Sequence, residues 1–123
     1  MRALLVVAHG SRRAASNDEV KTLTDQLRNR ILSFSKSDFD FIHAAFLELA
    51  EPSIPDGIKE CVNQGADEVV VLPYFLSAGR HVAQDIPEIV EQIAPDLPGV
   101  NITIAPYLGT AAGLPDLMLE LAK

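Results

Sequence analysis

Apolar residues recur along this chain in two alternating rhythms. Ala3 to Ala8 is an unbroken apolar run, the pattern of a strand covered on both faces. From about Asn17 to Ser33 the rhythm changes: Val20, Leu23, Leu27 and Ile31 recur every three or four residues with charges between them. That spacing predicts an amphipathic helix, with Asn17 as its cap. Residues 39–47 predict a second strand. Ser53 and Pro55 carry the chemistry of a helix start, and the helix runs to about Gln64, where Gly65 stops it. Val69 to Leu72 is the strongest β signal, followed directly by Pro73. A helix from about Asp85 to Ala94 places Ile86, Ile89, Val90 and Ile93 on one face. Ile102 and Ile104 mark a fourth strand, and a short helix from about Leu114 to Ala122 follows. The order βαβαβαβα predicts a three-layer α/β fold: a four-stranded, mainly parallel sheet with helices on both faces and right-handed crossovers. No repeat, low-complexity tract or linker divides residues 1–123, which read as a single domain.

Composition narrows the function. Hydrophobic residues make up 48% of the chain, enough for a real core, and the net charge is −7. A negative surface opposes binding to nucleic-acid phosphates or anionic lipid, so neither a nucleic acid nor a membrane is expected as partner. The run Ala3–Ala8 is too short for a signal peptide or a membrane span. The one cysteine, Cys61, sits at an apolar helix position, which predicts a buried thiol, no disulfide within the chain and a cytoplasmic setting.

In open α/β sheets, sites gather beyond the carboxyl ends of the strands. The first strand leads into His9-Gly10-Ser11-Arg12, the second into Leu47-Glu48, and the third into Pro73-Tyr74-Phe75 and then Arg80-His81. His9, Glu48 and His81 are therefore expected on one rim. Two imidazoles and a carboxylate suit a first-row divalent metal and leave positions open, and a neutral imidazole can accept a proton. Each residue also has a plainer reading: His9 as a backbone-bonded loop histidine, Glu48 as a solvated charge, His81 as a helix cap. His43, inside the second strand, reads as a packing histidine. Tyr74 and Phe75 could face a planar ligand or simply pack on the sheet. Arg12, Arg13 and Arg80 place scarce positive charge beside His9 and His81, which suits an anionic small ligand and equally suits solvated loop charge. Histidine phosphatase, serine hydrolase and phosphate-loop readings each lack a required neighbour: an arginine before His9, a glycine-flanked elbow at Ser11, and further glycines.

Taken together, Val7-Ala8-His9-Gly10-Ser11-Arg12, Phe46-Leu47-Glu48-Leu49-Ala50-Glu51-Pro52-Ser53-Ile54, Val71-Leu72-Pro73-Tyr74-Phe75-Leu76 and His81 with Asp85-Ile86-Pro87 resemble the sirohydrochlorin cobaltochelatases and ferrochelatases, the class II chelatases of CbiX/SirB type. The resemblance runs the length of the chain with order and spacing intact. It implies a chelatase-like half of flavodoxin-like topology and insertion of cobalt or iron into a sirohydrochlorin-type tetrapyrrole, for cobalamin or siroheme. By the same resemblance His9, His81 and Glu48 handle the metal and do the catalysis. Ser11, Arg12, Arg80, Tyr74 and Phe75 are the expected substrate contacts. Asp85 is expected as a helix cap or as a partner orienting a ligand. Neither an organic cofactor nor ATP is implied; the divalent metal, Co2+ or Fe2+, is a substrate. Two departures stand out. Ala8 replaces a glycine common in relatives, and many relatives carry two such halves around one cleft. A single half implies a homodimer that rebuilds the cleft by twofold symmetry. Two other functions remain compatible with these residues: a non-catalytic metal- or tetrapyrrole-binding module, and a structural subunit pairing with a different chelatase half.

Overall fold

The computed structural model describes residues 1–33 and 38–123. Four strands, β1 (Arg2–Ala8), β2 (Phe41–Phe46), β3 (Glu68–Pro73) and β4 (Asn101–Ile104), form one sheet in the order β2-β1-β3-β4. Every neighbouring pair is parallel. Helices α1 (Ala14–Ser33), α2 (Ile54–Asn63), α3 (Ile86–Ile93) and α4 (Leu114–Ala122) alternate with the strands, so the predicted α/β architecture is the observed one. In register, Leu5 of β1 lies between His43 of β2 and Val71 of β3, and Ala8 lies level with Phe46. The carboxyl ends of β1 and β2 are therefore flush.

Side chains alternate across a strand, so each face of the sheet takes every second residue. Ala3, Leu5, Val7, Ala45, Val69 and Val71 face α2 and α3 and bury Ile54, Ile58, Cys61, Ile86, Val90 and Ile93. The other face meets α1 through Ala8, Ala44, Phe46 and Val20. Here α1 packs along β2, while Val70 and Leu72 of β3 stay half-buried.

Three local details depart from the pattern. Helix α1 starts at Ala14, ahead of Asn17. Asn17 is no cap: its amide closes on the preceding loop, accepting from Ser11 N at 2.9 Å and donating to Ser11 O at 2.8 Å. The second strand is shorter than residues 39–47, because Leu47 leaves the ladder into the loop that carries Glu48. Helix α3 is entered through a π-helical turn, His81–Asp85, in which Ile86 N–H donates to His81 O. Asp85 thus turns its carboxylate to His81 rather than capping a helix end. By contrast, Ser53 caps α2 as its chemistry predicts, accepting from Asp56 N.

Candidate active site

The two loops that follow β1 and β2 are held together by main chain. Leu47 N–H donates to Ala8 O at 2.9 Å and Glu48 N–H to His9 O at 3.0 Å, which extends the β1–β2 pairing past the strand ends. Gly10 has φ +95°, and a Cβ at this position would lie 1.7 Å from Glu48 O. Only glycine meets both demands, so Gly10 is what allows the His9 and Glu48 backbones to touch. On the β2 side Leu49, at φ 63°, takes the left-handed conformation and turns the chain sharply after Glu48.

These constraints aim the side chains. His9 Nε2 lies 2.7 Å from Glu48 Oε1. His81, on the π-helical turn, places Nδ1 2.7 Å from Asp85 Oδ2. The two imidazole rings stand edge to face with centroids 4.6 Å apart and an 86° interplanar angle. His9, Glu48 and His81 are thus brought together at the carboxyl edge, each about half exposed (side chains 43%, 54% and 40%). A carboxylate only accepts hydrogen bonds, so the ring nitrogen facing it carries the proton in the neutral imidazole. The nitrogens left with free lone pairs are therefore His9 Nδ1 and His81 Nε2. A carboxylate on the opposite nitrogen also makes an imidazole a stronger donor to a metal. Among the described residues no three His, Cys, Asp or Glu side chains close into a metal cage. The arrangement is instead an open pair of imidazoles with flanking carboxylates, suited to a cation that must be passed on.

Beside the pair, a cavity of about 320 Å³ runs past Glu48, His81 and Asp85 to Glu88 and Gln92 of α3. Glu88 and Gln92 escaped the sequence reading. Their spacing from Asp85, three and seven residues along one helix face, was the available signal. Asn17 and Gly10 carry no such signal in the sequence, because their roles lie in main-chain geometry.

The expected substrate contacts are scattered more widely. Arg12 and Arg80 are exposed, and neither forms an ion pair among the described residues. Ser11 Oγ accepts from Arg13 N at 3.0 Å in the turn that starts α1. Tyr74 is 40% exposed and lines a groove against α1, with Asp18, Thr22 and Leu23. Phe75 packs on the core beneath α2 and α3, so the two aromatic rings serve different neighbours. His43 is remote from this edge. Its Nε2 donates to Gln64 Oε1 at 2.7 Å, and its Nδ1 faces Arg28 Nη2 at 3.4 Å, a packing role between α1 and α2. Cys61 is fully buried, and burial pushes its thiol up to about 11. No helix among the described residues is long and apolar enough to cross a membrane.

A family model described as CbiX matches residues 3–123. A chloroplastic sirohydrochlorin ferrochelatase of Arabidopsis thaliana is 38% identical over 106 residues, covering 86% of this chain and 44% of that protein. The solved CbiX protein of Marinobacter aquaeolei VT8, described there as a putative cobalamin biosynthesis protein, superposes with TM-score 0.82 at 26% identity, covering 99% of this chain and 94% of that one. SirB from Bacillus subtilis, solved with Fe3+, superposes with TM-score 0.84 at 28% identity, covering 97% of this chain but 45% of that one. The chain spans about half the length of the curated relatives it matches first, 44% and 59% of the two.

Proposed function

The chain belongs to the CbiX family, and on that premise we propose that it inserts a divalent metal, Co2+ or Fe2+, into a sirohydrochlorin-type tetrapyrrole. One observation carries the reading: two imidazoles 4.6 Å apart at the sheet's carboxyl edge, each braced by its own carboxylate. His9 Nδ1 and His81 Nε2 hold the incoming cation. The cavity past Asp85 and Glu88 is the negatively lined approach for it, and Arg12 and Arg80 attract the carboxylates of the macrocycle. Exposed Leu49, Tyr74 and Leu76 offer apolar surface to the ring plane. Insertion exchanges two pyrrole N–H protons for one M2+. The Glu48–His9 pair is placed to take one of these protons, and solvent or the second imidazole the other. No organic cofactor or ATP takes part. The half-exposed site belongs to a cytoplasmic homodimer whose two carboxyl edges enclose one ring.

Cobalt insertion into sirohydrochlorin, followed by the change in its visible absorbance, is the test. His9→Ala and His81→Ala should each lower the rate at least 100-fold while far-UV circular dichroism stays unchanged. A wild-type rate in both variants overturns the assignment. A second reading, a binding module without turnover, draws on the same paired imidazoles and Glu48, which binding alone would also use. Stoichiometric metal or ring binding with no catalytic turnover would select it.

A further inference from the structure

Exposed large apolar side chains gather in two places among the described residues: along helix α4, which has no buried residue, and at the carboxyl edge. At the edge they are Leu49, Tyr74 and Leu76, of which Leu49 is 54% exposed. Leu49 differs from the other two in its backbone. Among the described residues it alone combines a side chain with a positive φ, 63°. That conformation is costly for a leucine, and Gly or Asn adopts it more readily. The turn itself has a clear use, because it directly follows the Glu48 carbonyl that lies over Gly10. It needs the conformation but not a leucine. Nor does the core need one here. Leu47 packs on one apolar cluster and Ala50 on the other, while Leu49 between them belongs to neither.

The position of Leu49 supplies the use. The sheet order β2-β1-β3 sets Leu49, after β2, and Leu76, after β3, on either side of His9, after β1. Leu49 also adjoins Glu48, whose carboxylate is bonded to that imidazole. Arginines at this edge can read the anionic rim of a ring; a leucine can read only its apolar face. We propose that Leu49 is a substrate-contact residue, held out of the core by its strained backbone so that its side chain packs on the face of the macrocycle on the Glu48 side of His9. This rests on the tetrapyrrole chelatase reading above and gives one side chain the task of selecting the flat ring. The contact is apolar, so added salt does not weaken it as it weakens the arginine contacts. Covering the exposed half of one leucine is worth about a 5-fold change in ring affinity.

Substitutions of Leu49 in the full chain test this by cobalt insertion kinetics, urea unfolding and binding of metal-free sirohydrochlorin, followed by its own fluorescence. Leu49→Asn suits the left-handed backbone and removes the apolar contact. Leu49→Ala removes the contact and keeps the strain. Leu49→Met keeps an apolar side chain of similar size. Leu49→Asn and Leu49→Ala should each raise the KM and Kd for sirohydrochlorin about 5-fold, at low and high salt alike, and leave kcat and the KM for Co2+ within about twofold of wild type. Leu49→Met should match the wild type throughout. The urea midpoint of Leu49→Asn should equal or exceed that of the wild type. An unchanged KM and Kd for sirohydrochlorin in the Asn and Ala variants overturns the contact. So does a fall in kcat alone, which would make Leu49 a backbone support for Glu48. A urea midpoint lowered in both variants would make it a packing residue and overturns the contact as well. The two readings fail separately. Turnover with an unchanged KM removes the contact and leaves the chelatase. Ring binding weakened by Leu49→Asn, in a chain that never turns over, removes the chelatase and leaves the contact.

Discussion

The two imidazoles of the site present different nitrogens, His9 Nδ1 and His81 Nε2, because Glu48 and Asp85 occupy the opposite positions. Asp85 is therefore a positioning residue. Asp85→Ala should weaken metal handling about 10–100-fold. Asp85→Asn, which keeps an acceptor for His81 Nδ1–H, should recover part of that loss. If Asn and Ala behave alike in the KM for Co2+, the orienting role fails. His43 is the control: it is hydrogen-bonded to Gln64 but lies away from the edge, so His43→Ala should cost about 1 kcal/mol of stability and leave turnover intact. A urea titration and an insertion assay on the same sample decide between these. Cys61 supplies a pH dependence. Its thiol is raised from 9.0 to about 11 by burial, so above pH 9 the unfolded chain holds fewer protons than the folded one. Its contribution to stability is complete below pH 9 and is lost as pH rises toward 11. The urea midpoint should fall across that window more steeply than in Cys61→Ala; equal slopes would contradict it.

At the scale of elements, the hydrophobic rhythm anticipated each strand and helix, because burial on one or both faces leaves a period in the residues themselves. Ser53 and Leu114–Ala122 stand where the pattern put them. The departures lie where loops are shaped by contacts remote in sequence. Asn17 reads as a cap, yet its amide brackets Ser11, and the π-helical turn at His81–Asp85 has no sequence period of its own. Gly10 is the most consequential case. Its role depends on Glu48 O, 38 positions on, passing where a side chain would stand. Gly10→Ala should separate the His9 and Glu48 loops and cost at least 10-fold in insertion rate, together with about 2 kcal/mol or more of stability. A variant as active and stable as the wild type would show that the two loops adjust freely. Ser53→Ala, which removes a helix cap bonded to Asp56 N and to neither imidazole, should cost about 1 kcal/mol and no activity.

For the whole molecule, electrostatics and assembly set the expectations. The chain carries net charge −7, and Arg12 and Arg80 are exposed without ion pairs among the described residues. Exposed contacts to ring carboxylates are worth about 1 kcal/mol each, so Arg12→Ala or Arg80→Ala should raise the KM for the tetrapyrrole several-fold and change kcat less. Added salt should weaken capture in the wild type more than in the double variant. An unchanged KM in both single variants places the ring elsewhere. Residue types and their order were enough to set the alternating fold, the buried thiol and the convergence of His9, Glu48 and His81 on one edge, since a parallel sheet gathers all its carboxyl ends on one side. Which nitrogen each imidazole keeps free, why Gly10 cannot carry a side chain, that Tyr74 and Phe75 part company, and that α4 lies uncovered were decided only by the tertiary structure. Each depends on distances between segments far apart in the chain, and no local periodicity encodes those.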